Sequence, residues 1–311
     1  MAKPRNKVLD LLAYMGFRLF AMFVHMFGWE ANYRTARWVG NLLYRFDRRH
    51  RERALAHLRL SFPDWPEEEY HRVARASVRS IVYLGVEVLF TTRLLTPARW
   101  RRHVTLENQA ENVRLMLENK TPVIYVAGHF GNWEVVAYAM GALGFRNTAV
   151  ARPLDNPHLD RYIRVVREHR GMSIVGKKGA TQMLGDLLAN KGLVSFVADQ
   201  DAGRKGVFVD FFGRPASTYK SPALLAMTYG APILVGYGRR MNEEYHFAIG
   251  IQRVIHPHEW ADKDDPVRWI TQEYTRALED VIRTAPEQYL WVHRRWKHRP
   301  KGEPPGPDGV A

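Results

Sequence analysis

Thr121-Pro-Val-Ile-Tyr-Val-Ala-Gly-His-Phe-Gly-Asn-Trp-Glu134 begins with an apolar run bounded by proline and glycine, continues through a histidine and a second glycine, and enters another apolar stretch. A run so short and so bounded reads as a buried strand over 123–127 that turns toward a helix. Further short apolar runs lie at 148–151, 193–198, 233–237 and 247–251, with helical stretches between them near 135–143, 159–168, 180–189 and 222–229. Alternation at this spacing predicts an α/β fold, with a central mixed sheet flanked by helices.

Upstream, 31–93 carries a hydrophobic beat of three to four residues, and Ser61-Phe-Pro-Asp-Trp-Pro-Glu-Glu-Glu69 is a start signal for a long helix, so a helical lead-in precedes the sheet. The segment 9–29 is mostly apolar but is interrupted by Asp10, Arg18 and His25. Its longest clean stretch falls far short of the roughly 20 residues of a spanning helix, and no small-x-small cleavage site follows. Lys3, Arg5 and Lys7 precede it and Arg34, Arg37, Arg45, Arg48 and Arg49 follow, so positive charge on both flanks sets no crossing direction. The expectation is a membrane-associating helix lying in the headgroup region; the alternative is an amphipathic helix packed on its own domain. From Pro300 the chain is Pro, Gly and charge with little to bury, which predicts a disordered tail. The division is therefore 1–29, membrane-associating helix; 30–299, catalytic domain; and 300–311, tail.

Forty-six Lys and Arg against 32 Asp and Glu leave a formal charge of +14 in 311 residues. Such a balance points to a polyanionic partner: nucleic acid, an anionic membrane or an acidic carrier protein. A chain 46% hydrophobic and 25% charged is not mainly disordered. Without cysteine it holds no disulfide, thiolate zinc site, iron–sulfur cluster or Cys nucleophile. No Gly-x-Ser-x-Gly elbow is present for a covalent serine.

The first strand places His129, Gly131 and Glu134 at its carboxyl end, where α/β sheets build their sites. A His followed five residues later by a carboxylate suits general-base chemistry. Glu134 would fix the tautomer and stabilise the imidazolium while His129 takes a proton from an attacking hydroxyl, a contribution of about 10²–10⁴ in rate. Positions i and i+5 lie about 140° apart on a straight helix, so His129 has to sit on the strand end or turn, with Gly131 permitting the bend. His25-Met-Phe-Gly-Trp-Glu30 has the same spacing, and among 13 histidines one chance match is expected. No strand precedes that pair, and it reads as structural.

The strand with Gly-His-Phe-Gly-Asn-Trp-Glu resembles the HX4D/E box of the lysophospholipid acyltransferase superfamily, specifically its late lipid A acyltransferase branch, the lauroyl and myristoyl transferases of bacterial lipid A. Ala151-Arg-Pro-Leu-Asp-Asn-Pro, Arg167-Glu-His-Arg-Gly, Val197-Ala-Asp-Gln-Asp-Ala-Gly-Arg-Lys-Gly-Val-Phe-Val-Asp-Phe-Phe-Gly-Arg-Pro-Ala-Ser-Thr and Tyr289-Leu-Trp-Val-His-Arg-Arg-Trp-Lys resemble that branch's later blocks in the same order. Together they cover most of 10–298. Glu134 stands where many members carry Asp, which changes reach more than chemistry. The resemblance implies direct acyl transfer from an acyl carrier protein or CoA thioester to a hydroxyl of a lipid acceptor, with a lipid A precursor as the leading acceptor. It implies no cofactor beyond that co-substrate, no metal and no nucleic acid, and a place at the cytoplasmic face of the bacterial inner membrane, peripheral or monotopic. A glycerolipid or phosphatidylinositol mannoside acceptor is the alternative.

The later blocks add candidates. Arg152 directly follows a strand and Asn156 lies in a Pro-bounded turn, so both are placed to reach the crevice of His129. The resemblance gives Arg152 a role in substrate positioning or charge stabilisation; a helix-turn salt bridge is its other reading. Asp199 and Gln200 close the strand 193–198 at a carboxyl end, although Asp199 equally suits a loop cap through its own backbone. Arg204, in Ala202-Gly-Arg-Lys-Gly206, belongs to a short basic loop able to cradle phosphate, and Gly176-Lys-Lys-Gly179 is a weaker loop of the same kind. The stretch 207–212, with Trp291 and Trp296, reads either as core or as the lining of an acyl channel. His256-Pro-His258 with Glu259 reads as a surface loop rather than a metal site. The rival from another class is a basic protein that binds nucleic acid or membrane through the run 45–53; it leaves the ordered blocks unexplained.

Overall fold

The computed structural model describes residues 6–107, 114–116, 118, 120–151, 153–168, 172–176, 180–242 and 244–303. Four helices lead in: α1 (Lys7–His25), α2 (Trp29–Phe46), α3 (Arg48–Ser61) and α4 (Glu67–Leu94). The sheet region follows as β1 (Val104–Glu107), β2 (Val123–Ala127), α5 (Trp133–Ala142), β3 (Asn147–Val150), α6 (Pro157–Glu168), β4 (Met172–Val175), α7 (Ala180–Ala189) and β5 (Leu193–Val197). It continues through β6 (Val207–Phe211), β7 (Arg214–Thr218), α8 (Ser221–Tyr229), β8 (Ile233–Arg240), β9 (Phe247–Ile255) and α9 (Pro266–Thr284).

Seven strands form one sheet in the order β1-β9-β8-β2-β5-β3-β4, all neighbours parallel except the β8–β9 pair, so the expected mixed sheet is present. Every residue of β2 is buried, as a central strand covered on both faces requires. Val123, Tyr125 and Ala127 pack with α2, α4 and α5, and Ile124 and Val126 pack with α7, α8 and α9. Alternation along one strand thus feeds two helical layers.

Several elements were not read from the sequence. β1 and β4, four residues each, are among them, although β3 is equally short and was read. α9 did carry signals, with Asp265 capping the Arg268 amide at 3.0 Å and Pro266 in its first turn. β6 and β7 form a hairpin whose two turn residues, Phe212 and Gly213, both take positive φ (53° and 71°). Phe211, Phe212, Trp291 and Trp296 are buried in a third core with α3 and α4, which is the core reading of these aromatics and not the channel lining. Of the tail expected over 300–311, residues 304–311 lie outside the described residues, as do Lys177, Lys178 and Gly179 of the weaker basic loop.

The apolar segment does not run as one helix through 29: α1 stops at His25, with Met26 as its C-cap, and Gly28 is the N-cap position of α2. α1 is long and apolar enough to cross a membrane by length and composition. Here it lies along α6, with Phe17 edge-on to Tyr162 at 5.3 Å and the Asp10 carbonyl accepting from Asn156 Nδ2 at 2.7 Å. Only Ala21 and Val24 are fully buried, and Leu12, Met15, Leu19, Phe20, Met22 and Phe23 are exposed.

Glu87 locks the lead-in to the sheet. Its carboxylate is fully buried and is bonded by Arg240 of β8 through Nε and, at 2.8 Å, Nη2. Tyr33 Oη donates to it at 2.6 Å and Asn132 Nδ2 at 2.6 Å. Asn132 Oδ1 in turn accepts from the Val135 amide at 2.9 Å, capping α5. Removing one partner of such a pair strands a buried charge. Arg240→Leu is expected to destabilise the fold by ~3–5 kcal/mol in chemical denaturation, and the double variant Glu87→Met/Arg240→Leu to recover most of that loss.

Candidate functional site

Parallel pairing builds the site. Ala127 of β2 is in register with Val197 of β5, and the Ala198 amide bonds the Ala127 carbonyl at 3.0 Å, so two residues beyond each strand end His129 and Asp199 stand side by side. Asp199 accepts from the His129 backbone amide at 2.8 Å and from Nδ1 at 2.7 Å. A carboxylate on Nδ1 sets the tautomer and leaves Nε2 as the acceptor nitrogen of the neutral ring. Gln200 Nε2 lies 3.2 Å from that Nε2. The Trp133 ring packs edge-on at 4.6 Å, and His293 lies nearly parallel at 6.3 Å.

The turn after His129 admits only glycine at position 131. Its φ is +56°, and an added Cβ would fall 1.9 Å from the Gly238 carbonyl oxygen. The Gly131 amide bonds the Gln288 carbonyl at 3.0 Å, the Asn132 amide bonds the Gly238 carbonyl at 2.9 Å, and the Leu290 amide bonds the His129 carbonyl at 3.1 Å. The block that starts at Tyr289 is thus the brace of the His129 loop.

Glu134 is placed differently from the sequence expectation. It sits in the first turn of α5 and pairs with Arg167 of α6 through Nε at 2.9 Å and Nη2 at 2.5 Å, while Asp199 holds the imidazole. The reason is directional: Nδ1 faces β5, whereas the helix turns Glu134 toward α6. Glu134 still acts on His129 through its charge. Asn156 caps α6, accepting from the His158 and Leu159 amides at 2.9 and 3.2 Å, and ties α1 to the domain rather than contacting His129. Arg204 is exposed in the loop before β6. Arg152 lies outside the described residues. Arg167, Gln288 and His293 went unassigned; each lies far from His129 in sequence, so spacing carried no signal for their convergence.

An apolar groove of about 520 Å³ runs beside this centre between α1, α4, α5 and α6. Glu134 and Arg167 line it together with Phe17, Leu84, Tyr138 and Val166. His25 packs against Phe90 at 4.9 Å, well inside the lead-in, and the Glu259 carboxylate caps the short turn at His256, accepting from its amide at 2.7 Å.

Comparison with known proteins gives one consistent result. The sequence profile described as bacterial lipid A biosynthesis acyltransferase matches residues 3–298. The chain is 28% identical over 278 residues to the lipid A biosynthesis lauroyltransferase of Escherichia coli K12, covering 88% of this chain and 87% of that one. It is 28% identical over 269 residues to the palmitoleoyltransferase of the same organism, covering 85% and 84%. A phosphatidylinositol mannoside acyltransferase of Mycobacterium tuberculosis H37Rv is 32% identical over 110 residues, 34% of this chain and 35% of that one.

Burial opposes the His129 imidazolium, but the Asp199 charge and hydrogen bond, with a smaller contribution from Glu134, outweigh it and raise its pKa above the ordinary 6.5. Burial likewise resists the Asp199 charge, yet His129, through its charge and both hydrogen bonds, holds that carboxyl down at about 2. The pair's stabilisation therefore weakens as pH rises through the His129 pKa and again as it falls toward that of Asp199. In an NMR titration His129 is expected to titrate above 6.5 in the native protein. Asp199→Asn removes the two largest raising contributions and should move the midpoint below that value.

Proposed function

The chain belongs to the bacterial lipid A biosynthesis acyltransferase family, and on that premise we propose that His129 Nε2 is the general base that moves an acyl group from a thioester to a hydroxyl of a lipid A precursor. The observation that supports this most directly is the Asp199–His129 pair at the end of β2, with Nδ1 bonded at 2.7 Å and Nε2 on the other side of the ring, 3.2 Å from the Gln200 side-chain amide. Nε2 takes the proton of the acceptor hydroxyl as its oxygen attacks the thioester carbonyl. The tetrahedral oxyanion collapses, the new C–O bond stays, the C–S bond breaks, and the imidazolium returns its proton to the leaving thiolate. The proton moves on and off His129, so the chemistry calls for no metal.

Asp199 keeps the tautomer and stabilises the imidazolium, the role of the carboxylate in a hydrolase triad. The Gln200 amide, within hydrogen-bond distance of Nε2, marks where the acceptor oxygen has to sit and supplies a donor beside it. The apolar groove receives the acyl chain, and Arg167, fixed by Glu134, is the cation at its polar end.

The donor is an acyl carrier protein or CoA thioester; a formal charge of +14 suits either anionic carrier. The exposed apolar face of α1, followed by Trp38 and Phe46 on α2, supports association with a membrane surface, in this reading the cytoplasmic face of the inner membrane. A lipid A-type acceptor is preferred to a phosphatidylinositol mannoside because the relatives of the first kind match over most of the chain and that of the second over a third.

Purified protein in detergent is expected to release free thiol from acyl carrier protein thioesters only when bacterial lipid is added. His129→Ala should lower that release by at least roughly 10²-fold in protein that stays folded, with the thermal unfolding midpoint falling only by the loss of the pair with Asp199. Lipid-dependent release at near-native rate by the folded variant would remove His129 from the chemistry.

A further inference from the structure

We propose that Gly85, in the middle of α4, determines how long an acyl chain the groove accepts, an inference that rests on the acyltransferase reading. Ile81, Leu84, Gly85 and Val88 form one stripe of α4, and all four line the groove. Glu87, two residues on and about 200° around the helix, faces the opposite way into the Arg240 and Asn132 bonds, which fix the rotation of α4 at this turn.

Glycine is an unfavourable residue inside a helix, so its presence there calls for a packing or functional reason. Gly40 of α2 has a packing reason: an added Cβ would lie 2.8 Å from the Arg79 Cα of α4. Gly85 has none of that kind, since an added Cβ would meet no atom within 4 Å. Gly85 is exposed, and the open space beside it belongs to the groove that it lines. The groove is lined as well by Phe17 and Phe20 of α1 and Ile163 and Val166 of α6, aromatic and branched side chains.

The dimensions fit one acyl chain. The lining of α4 extends from Ile81 to Thr91, about 15 Å at the rise of an α-helix. That is about half of a ~30 Å bilayer hydrocarbon core, the depth that a single chain fills in one leaflet. Without a side chain at 85 the chain can cross the α4 ridge and continue along the groove; with one, it has to stop.

The test compares wild type, Gly85→Ala, Gly85→Leu and Gly85→Phe on acyl carrier protein thioesters of single saturated chains of increasing length, with total bacterial lipid as acceptor and product chains read by mass spectrometry. The ratio of long-chain to short-chain transfer should fall in the order Gly, Ala, Leu, Phe, with Leu losing roughly tenfold or more for the longest chain that wild type uses. Gly85→Ala should keep or raise the thermal midpoint, so that a change in selectivity is separable from misfolding. An unchanged length profile in folded Gly85→Leu, or an equal loss at every length, overturns the assignment of Gly85 and leaves the acyltransferase reading intact. If wild type transfers no chain of any length, that reading fails and this one with it.

Discussion

Glu87 is a carboxylate buried completely between the helical lead-in and the sheet, and a charge in that position persists only where every oxygen finds a donor. It finds them on three separate elements: Arg240 at the end of β8, Tyr33 on α2 and Asn132 at the cap of α5. Its energetic worth relative to an apolar replacement is small by the general rule for buried pairs, and its consequence is geometric. It fixes α4 in rotation and depth against the turn that carries His129. The groove wall on α4 and the His129 loop therefore share a reference point, and in the proposed reaction an acyl chain laid along one would present its carbonyl to the other.

The site is built by register as much as by motif. β2 and β5 are neighbours, parallel and in phase, so a residue two beyond each strand end acquires a partner two beyond the other. Asp199 thereby supplies the carboxylate that the linear motif assigns to Glu134. Glu134 instead anchors Arg167 and keeps a cation at the polar end of the groove. Two carboxylates near one imidazole thus divide their work, one by hydrogen bond and one by field. The residues from Gln288 onward close the arrangement from behind, taking up the Gly131 amide and the His129 carbonyl that the sharp turn leaves unpaired.

Local features were legible in the sequence. The strand 123–127, the glycine that has to bend the chain at 131, and the start of α4 after Trp65-Pro66 all follow from rules that act within a few residues. Long-range order was not. Which strand lies beside β2 is decided by crossovers through helices, and no spacing encodes it, so Asp199 could be placed at a strand end without being joined to His129. Asn156 had the composition of a site residue and the position of a cap, and the cap prevailed. Glu87 offered a signal that went unused: a lone carboxylate in Val82-Tyr-Leu-Gly-Val-Glu-Val-Leu-Phe90 has to be paired if the run is buried. Gly85, in the same run, is legible only when the space beside it is known.

Direct transfer to a lipid hydroxyl, with His129 as base and no acylated protein on the path, is the central claim, and intact-mass measurement of the protein during a single turnover tests it most directly. With an acyl thioester and no acceptor, the account predicts an unmodified protein mass, and on addition of lipid the acyl group should appear in the lipid alone. An acyl adduct on the protein that forms without lipid and discharges at the rate of turnover when lipid is added would contradict it.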